Sequence, residues 1–143
     1  MRQTRLLTIG TFDPPHLGHA NLFKKCDVFA DQVIVGVNSD EFVMKYRKVA
    51  PLYHLSERQR LIESLGYETV PNHSAGRELI QKIMPDMLAI GSDWLHKDYM
   101  AQIDMTPHDF DAMRITLIYI PYTEGISASD LKERISRSVR GSK

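Results

Sequence analysis

The chain holds a single cysteine, Cys26, among 143 residues. An intrachain disulfide is therefore impossible, and cysteine usage carries no information about redox compartment. It also lacks net charge, because eighteen Lys and Arg offset eighteen Asp and Glu. No global field recruits nucleic acid or an anionic membrane, so any phosphate site must be assembled locally. No apolar run approaches membrane-spanning length, and no signal-like apolar stretch follows Met1-Arg2-Gln3. The expectation is a cytoplasmic protein whose partners are small molecules, with no nucleic acid and no membrane among them. Internal repeats and linkers are absent too. What remains is ordinary globular usage, 43% apolar and 25% charged, which suits one domain over 1–143 with a real core. The basic, polar tail over 137–143 is expected to fray.

The most informative stretch is Gly10-Thr11-Phe12-Asp13-Pro14-Pro15-His16-Leu17-Gly18-His19. It follows an apolar run, Leu6 to Ile9, and precedes a helical pattern, so it reads as strand, tight turn and helix start. Pro15 suits a first helical position. His16 and His19 then share one face of the first turn, where unpaired N–H groups and the positive dipole end attract anions. Gly18 leaves room for a ligand against the backbone. Two imidazole donors at such a helix end can stabilise charge on a phosphoryl group. The plainer reading is a pair of ordinary first-turn histidines with Asp13 as a cap. A zinc site is short of ligands, because no Cys or His cluster lies nearby.

The rest of the chain alternates strand and helix patterns. Strands are expected at Leu6–Phe12, Gln32–Ser39, Tyr67–Val70, Met87–Ile90 and Ile115–Ile120. The helix after the first turn should bury Leu22, Cys26 and Phe29, with Cys26 a small buried hydrophobe. A short helix over Asp40–Met44 leads into Lys45-Tyr46-Arg47-Lys48, read as a mobile cationic loop beside the histidine turn. A helix from Ser56 should turn Leu61, Ile62 and Leu65 inward. Arg58, in its first turn, is badly placed for a cation unless an anion is near. Gly91-Ser92-Asp93-Trp94 falls at a strand's carboxyl end, where α/β proteins place ligands. The segment His96–Met113 reads as one or two short helices over the site. Ser127, Ser129 and the start of a last helix, striped by Leu131, Ile135 and Val139, form a second phosphate-ready cradle.

The spacing of Gly10, Thr11, Phe12, Asp13, His16, Gly18 and His19 after a first strand resembles the signature of the HxGH nucleotidyltransferase superfamily. Thr123-Glu124-Gly125-Ile126-Ser127 is similar to the carboxy-terminal signature of its glycerol-3-phosphate cytidylyltransferase group. The resemblance also takes in Val35 to Asp40, Glu57-Arg58 and the Gly91-Asp93-Trp94 corner. It implies a single Rossmann-like, doubly wound α/β domain. Its five parallel strands run in the order 3-2-1-4-5, with helices on both faces. By position, His16 and His19 would hold the triphosphate and the α-phosphoryl charge. Lys48, with Lys45 or Arg47, would supply mobile cations. Gly10, Thr11, Phe12 and Gly18 would line the nucleotide site. Asp93 and Trp94 would border base and acceptor, and Arg58 would reach a phosphate. Thr123, Gly125, Ile126, Ser127 and Ser129 would contact the nucleotide.

The implied reaction is CTP plus a small phosphorylated alcohol, such as glycerol 3-phosphate, giving a CDP-alcohol and pyrophosphate. Mg²⁺ would ride on the nucleotide, and the resemblance implies a homodimer. Three positions depart from the signature: Tyr122 replaces its Arg, while Ala128 and Ser129 replace its two Thr. Lys45–Lys48 is also out of register with the group's paired lysines. A sugar-phosphate or cofactor adenylyltransferase using ATP, and a non-catalytic nucleotide-binding protein, are the alternatives.

Overall fold

The computed structural model describes residues 2–121. The roles expected of Thr123, Gly125, Ile126, Ser127 and Ser129, and the expected fraying over 137–143, fall on positions outside the described residues. Strands β1 (Arg5–Gly10), β2 (Gln32–Asn38), β3 (Glu68–Asn72), β4 (Met87–Gly91) and β5 (Thr116–Ile120) form one sheet. Its order is β3-β2-β1-β4-β5, and every pairing is parallel. The doubly wound sheet expected from sequence is thus observed. Helices α1 (Leu17–Cys26), α2 (Asp40–Arg47), α3 (Leu55–Glu63), α4 (Arg77–Ile83), α5 (Tyr99–Gln102) and α6 (Pro107–Met113) make the crossovers.

The period of two along β1 divides the core. Leu6 packs with Leu22, Phe23, Cys26 and Ile62 on the side of α1 and α3. Leu7 and Ile9 pack with Leu79, Ile80, Tyr99, Ile103 and Phe110 on the side of α4 to α6. Both faces of the central strand are buried, as a parallel sheet requires. Cys26 is fully buried, and burial pushes its thiol up to about 12, so it serves as a hydrophobe. Gly36 makes the middle of β2 passable for α4. A Cβ there would sit 2.9 Å from a Leu79 methyl.

Several local expectations are corrected. Phe29, Leu61 and Leu65 are exposed; the inner face of α3 is Arg58 and Ile62 instead. Pro15 precedes the helix, because His16 is the N-cap of α1. Helix α2 does not stop at Met44. It runs through Lys45, Tyr46 and Arg47 and closes on Lys48 in a left-handed conformation. The segment after β4 forms a 3-10 turn over Ser92–His96 and then α5 and α6, with Pro107 at the start of α6. Among the described residues, no helix is long and apolar enough to cross a membrane.

The chain moves from one side of the sheet to the other after β3, so the switch point lies between β1 and β4. The carboxyl ends of β1, β2 and β4 meet there, and the crevice outside them is where this architecture places ligands.

Candidate active site

The turn after β1 is shaped by Gly10. Phe12 has φ of +53°, and its ring folds back so far that a Cβ on Gly10 would lie 2.8 Å from Phe12 Cζ. The ring then meets His19 edge-on at 4.9 Å and Phe23 at 5.4 Å. Asp13 is not the cap of α1. Its two carboxylate oxygens accept the backbone N–H groups of Leu52 and Tyr53 at 2.7 and 2.9 Å, which ties the connection between α2 and α3 to the turn.

The histidines cap their own helix. His16 Nδ1 accepts the Gly18 N–H at 3.1 Å, and His19 Nδ1 accepts the His16 N–H at 3.2 Å. This is a capping box in imidazole, with the rings stacked at 3.8 Å and 25°. Each Nδ1 is an acceptor, so the neutral ring carries its proton on Nε2. Burial lowers the pKa of both rings, and for His19 burial and then the adjacent His16 bring it down to about 3. Both are therefore neutral Nε2–H donors near pH 7. His16 Nε2 is buried with no hydrogen-bond partner among the described residues, a donor available to a ligand.

These rings line a cavity of about 410 Å³ at the switch point. Gly10, Thr11, Phe12, Arg47, Asp93 and Trp94 share that lining with His16 and His19. Gly18 does not: it is buried in the first turn of α1, where its N–H serves His16. Lys45 and Lys48 are exposed and stand off the lining, because the helical turn carries them away while presenting Tyr46 and Arg47.

Arg58 is also absent from the lining, and for a clear reason. Its side chain is 0% exposed. Nε donates to Tyr53 O at 2.9 Å, Nη1 to Thr11 O and Asn38 O at 2.7 and 2.8 Å, and Nη2 to Asp40 Oδ1 at 2.7 Å. The anion that a first-turn cation needs is thus the Asp40 carboxylate, not a phosphate. Arg58 ties the ends of β1 and β2 to the start of α3, and so positions the floor of the cavity from behind.

Residues that the sequence reading left without roles complete the site. Asn38 and Thr11 are hydrogen-bonded, and Thr11 meets Tyr46 hydroxyl to hydroxyl at 2.8 Å. Phe42, Tyr99, Gln102 and Ile103 add walls. Asn38 and Tyr46 lay inside the stretches singled out by resemblance. Tyr99 could not be read, since its segment has no clear periodicity.

A cleft at the switch point of a doubly wound sheet, floored by stacked neutral imidazoles, fits the cytidylyltransferase-like family. The chain belongs to that family, whose model matches residues 7–134. It is 32% identical over 137 residues to the glycerol-3-phosphate cytidylyltransferase of Bacillus subtilis (strain 168), covering 92% of this chain and 97% of the relative. It is 27% identical over 138 residues to the FAD synthase of Thermococcus kodakarensis, covering 94% of this chain and 93% of that one. Among solved structures, the fold resembles a lipopolysaccharide core biosynthesis protein from Thermoplasma volcanium GSS1. There the TM-score is 0.64 at 18% identity, over 86% of this chain and all of the other.

Proposed function

We propose that the protein transfers a cytidylyl group from CTP to a small phosphorylated alcohol, glycerol 3-phosphate or a close analogue, releasing pyrophosphate. The observation that carries this reading is the buried Nε2 of His16, without a partner among the described residues, beside His19 in the switch-point cavity. An oxygen of the acceptor's phosphate attacks the α-phosphorus of CTP in line. The new P–O bond forms as the bond to the β-phosphate oxygen breaks, and pyrophosphate leaves. A phosphate monoester is already largely ionised at neutral pH, so no strong general base is required. The protein's contribution is positioning and charge stabilisation. Neutral imidazole N–H groups suit that task, because they donate to developing charge without giving up a proton.

Mg²⁺ fits as a nucleotide-borne ion. Among the described residues two carboxylates line the cavity; Asp13 spends its oxygens on Leu52 and Tyr53, and Asp93 is the one that would approach the ion. Among the described residues, no three His, Cys, Asp or Glu side chains cluster as a metal cage. Mg²⁺ keeps much of its water and needs few protein ligands. Bound there, it would neutralise charge on the triphosphate. Among the described residues Arg47 is the Lys or Arg that lines the cavity, and Lys45 and Lys48 stand nearby in sequence on the same helix end. A homodimer and a cytoplasmic setting complete the proposal; light scattering in solution measures the first.

CTP is favoured over ATP by the likeness to a glycerol-3-phosphate cytidylyltransferase over nearly its whole length. The test is pyrophosphate release from each of the four nucleoside triphosphates against glycerol 3-phosphate and a panel of sugar phosphates. CTP with a polyol phosphate is the expected pair. Preference for ATP moves the chain to the adenylyl-transfer alternative, and release with no pair leaves the non-catalytic one.

A further inference from the structure

A chain of hydrogen bonds runs from the edge strand β3 into the cavity, and its first two links have a fixed direction. Asn72 is 1% exposed, and its Nδ2 donates to Asn38 Oδ1 at 2.9 Å and to Ser74 O at 2.6 Å. These two acceptors fix the amide's orientation, since a flipped Asn72 would set oxygen against oxygen. With Asn38 Oδ1 accepting, Asn38 Nδ2 donates onward to Thr11 Oγ1 at 3.1 Å. Thr11 is 8% exposed. Its hydroxyl meets the Tyr46 hydroxyl at 2.8 Å, a contact across which either oxygen can donate. With Thr11 as the donor of that pair, donation passes from Asn72 through Asn38 and Thr11 to Tyr46, and the Tyr46 proton is left over. Every bond in such a chain polarises the next, so the terminal O–H is a strengthened donor.

That terminal proton sits in anion-friendly surroundings. Tyr46 lines the cavity on its α2 side. The Arg47 guanidinium lies 5.5 Å over the Tyr46 ring and lines the cavity too. Phe42 packs on the ring at 4.9 Å, which limits where the hydroxyl can swing. A hydroxyl donor beside a cation, with no acceptor other than Thr11 among the described residues, suits an anionic oxygen.

We propose that the Tyr46 hydroxyl donates to a phosphoryl oxygen of a bound substrate, with Asn72, Asn38 and Thr11 as positioning residues that hold its proton toward the cavity. This rests on the nucleotidyl-transfer reading of the cavity and adds a recognition residue that the expected cations, Lys45 and Lys48, do not provide from their places off the lining. The phosphoryl oxygen belongs either to the acceptor or to the triphosphate.

The test compares the full chain with Tyr46→Phe, which keeps the ring and its packing. Steady-state KM values for CTP and for glycerol 3-phosphate are measured separately, and calorimetric binding of each is measured without turnover. A charge-assisted hydrogen bond predicts a loss of roughly tenfold or more in KM and in affinity for one substrate only. A loss confined to glycerol 3-phosphate places the oxygen on the acceptor, and one confined to CTP places it on the triphosphate. The Asn38→Asp variant supplies the readout that packing alone would not move. Aspartate cannot donate to Thr11, so the hydroxyls reverse and Tyr46 gives its proton to Thr11. In that background, Tyr46→Phe should cost nothing further. Unchanged constants in Tyr46→Phe overturn the proposal, as does equal weakening toward both substrates with a lowered melting temperature. Full additivity of the two substitutions overturns the directed chain. A wild-type chain that binds CTP and glycerol 3-phosphate without pyrophosphate release refutes the transfer reading instead, and the binding comparison for Tyr46 still decides this one.

Discussion

Replacing Arg58 tests whether it acts from behind the cavity or on a ligand. Its guanidinium makes four hydrogen bonds, three of them to the carbonyls of Tyr53, Thr11 and Asn38. In Arg58→Lys the charge opposite Asp40 survives, but an ammonium is a point with three donors and cannot span that fork. At least one buried carbonyl is orphaned and the others are stretched. Each orphaned buried group costs about 1–3 kcal/mol, so the Lys variant should lose roughly 2–4 kcal/mol. Arg58→Ala also removes the partner of Asp40. That carboxylate is 34% exposed and can rehydrate, so the Ala variant should lose about 3–5 kcal/mol, at the scale of a broken buried pair. Against the roughly 5–15 kcal/mol of a domain this size, either loss is large. Urea unfolding followed by the fluorescence of Trp94, with kcat and KM from pyrophosphate release, reads both effects. The expected outcome is a lowered midpoint with CTP affinity and turnover falling together, as the ends of β1 and β2 loosen. A variant with wild-type stability but weakened binding of one phosphorylated substrate would refute the reasoning, and would restore Arg58 as a phosphate ligand.

Two further outcomes follow from the turn itself. Below pH 6.5 the unfolded chain protonates His19, while the folded ring, lowered to about 3, stays neutral. The unfolded state thus binds more protons, and stability must fall as pH drops through that window, by up to about 1.4 kcal/mol per unit from this group. Urea midpoints at pH 6.5 and 4.5 should show a decline that His19→Gln flattens; equal declines in both proteins would remove His19 as its source. Gly10→Ala should displace the Phe12 ring, 2.8 Å from the added Cβ, and overpacking of that kind costs roughly 1–3 kcal/mol. Because Phe12 also meets His19, turnover should fall along with stability, and an Ala variant with unchanged kcat would show that the ring does not set the imidazole.

The fold was legible because parallel strands advertise themselves. Leu6 to Ile9, Val33 to Val37 and Leu88 to Ile90 are buried on both faces, and such runs separated by helical patterns leave few topologies. The histidine pair was legible for a different reason, since its spacing puts both rings on one turn. What escaped the sequence was the rotation of individual helices. Leu61 and Leu65 looked like an inner stripe, yet α3 is turned so that Arg58 can reach three strand-end and loop carbonyls. A stripe is only a prior when a buried polar group must be satisfied. Similarly, the charges of Lys45 to Lys48 suggested a loop, while no residue there breaks a helix before Pro51. The helix therefore continues and presents Tyr46 instead of Lys45 to the cavity. Long-range partners such as Asp13 with Leu52, or Asn72 with Asn38, have no local signature at all.

The central claim is that neutral imidazole donors on the first turn of α1 stabilise the transferring phosphoryl group. Its most direct measurement is kcat for CTP and glycerol 3-phosphate in His19→Ala beside the calorimetric affinity of the same variant for CTP. A donor matched to transition-state charge is worth about 3–4 kcal/mol, or two to three decades in rate. The account predicts that loss in kcat with a much smaller change in CTP affinity; a folded His19→Ala protein that turns over at the wild-type rate would contradict it.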